Sequence, residues 1–409
     1  MKRMDPEKKS RRGARGGVSK IEALLDRGVL IPHPESVFIS DEVDVTRISG
    51  QGVVLWPGTR ICGEKTFIDK GAGIGTEGPA MIQDCQLGAN VELKSGFYEK
   101  SVFFKDVSMG WGSHVRKGCL LEEGVKTAHA VGLKQTILFP FVTLGSLINF
   151  CDCLMSGGTG PRDHSEVGSA YIHFNYTPNQ DKATPSLLGD APRGVMLNQP
   201  PIFLGGQGGL VGPRRVAFGT VVAAGCVHRV DALEPHFLFT GEKGKGRRIK
   251  RRPGLYPGIG GVVENNFIYL ANLIALTQWH RHVRSLFVSD DAFPRPLFSG
   301  AALILHMAVE ERLKRLRELF EKAPPLKKHL PEWEEIEGFF IHFKTPGETR
   351  RQRDPFLERV APLIGQWGKD YIRVIQNLPV HVSRQGTGWL QGIIDMIQNK
   401  MSETLPGLI

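Results

Sequence analysis

Aliphatic residues return at every sixth position through the middle of this chain, a period that fits neither a helix at about 3.6 nor a strand at about 2 residues per repeat. Leu204, Leu210, Val216 and Val222 form the longest unbroken run, Met109, Val115 and Leu121 a second, and Leu55, Ile61 and Phe67 a third. A hexad is one side of a triangular coil: a short strand, a turn that takes a small or polar residue, and one aliphatic side chain directed into the prism. Three sides close a coil of about eighteen residues, and several coils must stack before the apolar interior is dry. The repeat therefore predicts a mainly β fold, a left-handed parallel β-helix of hexapeptide repeats over residues 37–230. Gly follows the inward aliphatic at Leu87-Gly88, Met109-Gly110, Leu144-Gly145 and Leu204-Gly205, where a side chain would crowd the turn.

The period breaks over 149–195, with a Gly-rich stretch at 156–164 and a Pro-containing one at 176–193. Irregular loops thrown out of a rigid scaffold commonly carry function. After Val230 the pattern changes to helical spacing, as at Val309, Leu313, Leu316 and Phe320, and Pro324-Pro325 stops that helix. The expected division is a basic, disordered arm with its lead-in over 1–36, the β-helix over 37–230, a basic Gly/Pro-rich linker over 231–261, and an α-helical C-terminal domain over 262–409.

The formal charge of +10 falls to −3 once the +6 of residues 1–20 and the +7 of residues 243–252 are set aside. The body is thus not a nucleic-acid-binding surface. The segment 243–252 reads either as a collector of coenzyme A phosphates or as an exposed loop. Six cysteines without a C-x-x-C pair, and an N-terminus without an apolar signal core, set the expectation of a reducing cytoplasm. The apolar runs at 267–276 and 297–309 are shorter than the ~18–20 residues of a membrane span and read as buried helices.

Chemistry concentrates at Lys126-Thr127-Ala128-His129 and at Asn175-Tyr176 with Lys182. An amine that attacks a thioester needs a base, because an ammonium has no lone pair to offer, and histidine suits that task near neutrality. Lysines hold a sugar phosphate, and Asn and Tyr hydrogen-bond a sugar ring. The plainer reading of His129 is a surface or satisfied core histidine. His129, His164 and His173 can be proposed as zinc ligands, but their spacing does not favour it, and no metal is expected. Alternation along one strand would put the sulfurs of Cys151 and Cys153 on one face, as packing groups. The segment Val53 to Ile61 faintly echoes a nucleotide-binding Gly-rich loop, yet it lies within the hexad pattern and carries Pro57 where backbone should cradle phosphate.

The segments GSHVRKGCLLEEGVKTAH, TLGSLIN, HFNYTPNQDKATPSLLGD and FLGGQGGLVGPRRVAFGTVVAAGCV, in that order, resemble the acetyltransferase half of bifunctional N-acetylglucosamine-1-phosphate uridyltransferase / glucosamine-1-phosphate acetyltransferase. The resemblance implies an enzyme of UDP-N-acetylglucosamine biosynthesis type, acetylating the amine of an amino-sugar phosphate or nucleotide-linked amino sugar from acetyl-CoA. It implies His129 as general base, Lys117 and Lys182 near phosphate, and Asn149, Asn175 and Tyr176 on the sugar; Lys126, read from its place beside His129, joins the substrate-binding set. Gly206 and Ala224 would lie against acetyl-CoA, in a homotrimer with shared sites. The sequence departs from the family where a sugar-binding tyrosine falls on Gly132, where a serine near the thioester falls on Gly206, and where the interval from Asn149 to Asn175 is longer by about a coil or a large loop. Those departures keep open a non-catalytic β-helix that binds a sugar nucleotide or serves as a scaffold.

Overall fold

The computed structural model describes residues 19–241, 254–288, 295–344 and 347–409, so most of the basic arm and the 243–252 segment lie outside the described residues. Three all-parallel sheets form the sides of a prism. Face A has ten strands, from Val54–Leu55 to Leu238–Phe239, and face B ten, from Phe38–Ile39 to Val227–His228. Face C has eight, from Phe67–Ile68 to Arg215–Val216. The chain visits A, B and C in turn, so each strand bonds to its equivalent one coil away. On face B the partners run Met81, Phe97, His114, Gly132 and Asn149, steps of sixteen to eighteen residues. The expected β-helix followed by helices is the observed class.

Leu204, Leu210, Val216 and Val222 lie on A, B, C and A and share one buried interior, as do Met109, Val115 and Leu121. The third run differs. Leu55 and Ile61 point inward, but the next inward residue is Ile68, because the corner after Ile61 is one residue longer; Phe67 belongs to the core outside the prism.

On face C both residues of most strands are apolar. Phe103, Leu121, Leu138, Met155 and Leu188 fill the prism. Their neighbours Val102, Leu120, Ile137, Leu154 and Leu187 face out and join the core of the helices. Those helices follow α1 (Lys20–Asp26) and the single turn α2 (Ala191–Gly194), and comprise α3 (Ile259–His282), α4 (Arg295–Lys322), α5 (Trp333–Ile341), α6 (Gly347–Trp367), α7 (Tyr371–Gln376) and α8 (Val380–Thr404). α3 packs between α4 and α8, while α4 touches strands Gln86–Leu87 and Val102–Phe103 of face C. Three polar pairs stitch prism to helices: Glu122 and His280, both buried, 2.9 Å apart, and the ion pairs of Glu123 with Arg284 and Asp152 with Arg312, each at 2.6 Å. Such pairs specify an orientation more than they stabilise it, yet stripping one partner costs about 3–5 kcal/mol.

Three expectations change. Residues 19–36 are not simply an arm: Ser19 and Glu22 form a capping box for α1, and Leu24, fully buried, joins Val29 and Ile31 in the prism core. Cys151 and Cys153 do not share a strand face, because Asp152 turns the chain at φ +63° from face B to face C, leaving Cys153 in the prism core. The apolar run at 267–276 belongs to a longer segment, Ile259–Phe287, whose 29 residues are long and apolar enough to cross a membrane; Phe267, Leu270, Leu273, Leu276 and Trp279 within it are buried in the protein.

A chain ended at residue 241 would bare the outward stripe of face C. Size-exclusion chromatography with light scattering is expected to find it oligomeric and binding an apolar dye, as large exposed patches dictate. A monodisperse, dye-silent product would mean that the prism does not need the helices.

Candidate active site

The corner between faces A and B repeats the same backbone conformation coil after coil. Ala130, Leu147, Ala170 and Gln207 occupy the left-handed region at φ +56°, +59°, +61° and +51°. Each donates its N–H to the preceding coil, to Trp111, His129, Ser146 and Ser169 carbonyls respectively, at 2.8–3.0 Å. Those bonds hold a conformation that side chains otherwise avoid. They also stack Trp111, His129, Ser146, Ser169, Gly206 and Ala224 into one column along the edge.

His129 is exposed on this column, with Nδ1 2.9 Å from Ser146 Oγ. The Ser146 N–H donates to Ser169 Oγ at 3.1 Å, tying the next coil in. A Cβ at Gly206 would lie 2.6 Å from the Ser169 carbonyl oxygen, so only glycine permits this stacking. At Gly205 a Cβ would sit 2.3 Å from Ala224 N. Beyond His129 the column itself holds only the small residues Ser146, Ser169, Gly206 and Ala224, with the exposed side chains of Leu147 and Gln207 beside it. Sequence reading missed Trp111, which is 53% exposed one coil before His129, and Ser146 and Ser169 after it. Their signal is position at the same corner, which uneven coil lengths hide.

A second set borders face B on its other side, the B–C edge. Lys117 is exposed there. The loop 175–185 leaves this edge between strands Tyr171–Phe174 and Ser186–Leu188. Asn175 Nδ2 donates to Asp152 Oδ2 at 2.8 Å, Tyr176 is exposed, and Lys182 Nζ lies 5.9 Å from the Tyr176 ring centre. Asn149 is exposed on face B itself, with Gly132 and Ile172 as its neighbours on either side. The long interval to Asn175 thus spans one enlarged coil, whose extra residues form the hairpin Gly158–Gly160 with Asp163–His164.

Lys126 belongs to neither set. It lies on face A and lines, with Lys105, Glu123, Arg284 and Arg373, a cavity of about 750 Å³ beneath the helices. Gly189-Asp190, which follows the lysine loop in sequence, serves the fold: Asp190 caps α2 and pairs with Arg193. Val54–Leu55 and Arg60–Cys62, in the segment that echoes a nucleotide loop, are two sides of an early coil.

The three histidines weighed as zinc ligands sit apart, on the A–B edge, on the hairpin and inside face B, and among the described residues no cluster of three metal-binding side chains occurs. His173 is fully engaged, Nδ1 with the Cys151 carbonyl at 2.6 Å and Nε2 with Ser186 Oγ at 2.8 Å. Burial pushes its pKa down to about 4.

No protein-family model matches the chain. It is similar to the bifunctional protein GlmU of Thermotoga maritima, with 28% identity over 222 residues, covering 54% of this chain and 44% of that protein. GlmU of Thermotoga petrophila is 29% identical over 231 residues, with the same shares of 54% and 44%. GlmU of Carboxydothermus hydrogenoformans is 27% identical over 215 residues, 53% of this chain and 43% of the relative. The chain thus spans less than half the length of these curated relatives. Among solved structures, UDP-N-acetylglucosamine O-acyltransferase (LpxA) from Moraxella catarrhalis RH4 aligns over 67% of this chain and 94% of that one, at 11% identity and a TM-score of 0.22.

His173 also sets an acid limit. A histidine held neutral by the fold destabilises it as pH falls from the unfolded value of 6.5 towards about 4, because only the unfolded chain then takes the proton. Urea unfolding is expected to report a loss of about 2 kcal/mol from this group between pH 7 and pH 5, and His173→Gln should flatten that part of the profile. An unchanged pH slope in the variant would clear His173 of this role.

Proposed function

We propose that the chain is a hexapeptide-repeat N-acetyltransferase that moves an acetyl group from acetyl-CoA to the amine of an amino-sugar phosphate or nucleotide-linked amino sugar. The observation that carries this reading is His129, exposed and oriented by Ser146, at the foot of a small-residue edge. The similarity to bifunctional protein GlmU runs in support of it.

Acting as base through Nε2, the ring carries its proton on Nδ1 and donates it to Ser146 Oγ, a hydroxyl that can accept it and so hold the ring plane. The amine nitrogen attacks the thioester carbonyl while Nε2 takes its proton. The N–C bond forms, the C–S bond breaks, and the proton leaves with the coenzyme A thiol. A thin pantetheine chain fits beside Ser169, Gly206 and Ala224, where side chains are too small to obstruct it. Asn149, Asn175 and Tyr176 would orient the sugar, with Lys117 and Lys182 on the phosphate. Lys126 faces a different cavity and is left out.

Within one chain these residues occupy both borders of face B and do not meet. That separation supports a homotrimer in which the A–B edge of one copy completes the site with the B–C edge of another. The six unpaired thiols fit a reducing cytoplasm.

Thiol release from acetyl-CoA, followed with a panel of amino sugars, tests the reaction. His129→Ala is expected to slow it by about 10²–10⁴-fold, and Ser146→Ala by less. Full turnover without the imidazole would reject the assigned base, and silence across the panel would reject the reaction.

A further inference from the structure

The loop that carries Asn175, Tyr176 and Lys182 has no strand or helix of its own across 175–185. The helices hold it instead. Asn266 of α3 donates to the Ala183 carbonyl at 2.9 Å, and Lys322 of α4 to the Gln180 carbonyl at 2.6 Å. Arg312 of α4 reaches further. Its side chain, 3% exposed, donates from Nη2 to Asp152 Oδ1 at 2.6 Å and from Nη1 to the Lys182 carbonyl at 3.4 Å. The other oxygen of Asp152 accepts from Asn175 Nδ2 at 2.8 Å. One guanidinium therefore grips both ends of the loop.

The chemistry of that relay decides which atom Asn175 presents. An ionised carboxylate can only accept, so the amide must turn its NH₂ toward Asp152. Its Oδ1 has no protein partner among the described residues and is left as an acceptor for a substrate O–H or N–H. Arg312 aims the Asp152 carboxylate by a charge-assisted bond at 2.6 Å.

We propose that Arg312 is a positioning residue for the acceptor sugar: through Asp152 it fixes the Asn175 amide with its oxygen outward, and through the Lys182 backbone it fixes the lysine. The helical domain thereby forms part of the acceptor site. This rests on the acetyl-transfer reading above.

Hydrogen exchange and steady-state kinetics on the full chain test it. The double variant Asp152→Asn/Arg312→Gln removes both buried charges together at nearly constant volume, which avoids the penalty of orphaning one. Arg312→Lys keeps the charge but lacks the planar fork that spans two acceptors. In the double variant, amides of 175–185 should exchange faster while those of the prism do not. The KM for the amino sugar should rise about tenfold, with kcat and the KM for acetyl-CoA unchanged. Arg312→Lys should fall between. A purely structural role would lower kcat through loss of folded protein and leave both KM values alone, which overturns the proposal, as does unchanged exchange in the loop. Should the unmodified protein release no thiol, the acetyl-transfer reading fails separately, and exchange across 175–185 alone decides whether Arg312 anchors the loop.

Discussion

The hydrogen-bond ladder between successive coils is the constraint from which the other features follow. Each side of the prism must deliver one apolar side chain inward and present its N–H and C=O groups to the coils on either side. Where the chain turns, that requirement is strong enough to hold alanine, leucine and glutamine in left-handed conformations at the A–B corner. The same ladder that forces those conformations stacks His129 beneath Ser146 and Ser169. Fold and site share one cause here: a histidine at a corner is exposed, fixed at its backbone, and supplied with a hydroxyl by the next coil.

The helices make the prism asymmetric. Face C gives up its outward stripe to α3 and α4, while among the described residues faces A and B keep exposed side chains such as Phe203 and Ile172. The acids at the rims of face C, Glu122, Glu123 and Asp152, meet the bases His280, Arg284 and Arg312. Apolar burial supplies the adhesion, while the charges set the angle at which the helices lie, because a misplaced pair would leave charge buried alone. The loop 175–185 is held at that seam, which ties its conformation to the helical region.

The interior of the prism is legible in the sequence. Leu204, Leu210, Val216 and Val222 line it because a six-residue return to one side is a local property of the chain. The doubled apolar residues of face C, such as Leu120-Leu121 and Ile137-Leu138, were an equally local sign that this face is buried twice, although the hexad pattern drew attention only to the inner member. Phe67 was misread for the reverse reason: a corner longer by one residue moves a side chain from inside to outside.

Sequence alone thus determined the repeat, the three-sided core and the helical character of the C-terminal part. The tertiary structure decided which edge each polar residue occupies, that Lys126 faces away from its sequence neighbour His129, and that Asp152 meets Arg312 across 160 residues. The physical reason is that inward positions are fixed by the few residues of one side, whereas the relation between edges depends on the summed lengths of every intervening coil and on how an apolar face and its helices settle together.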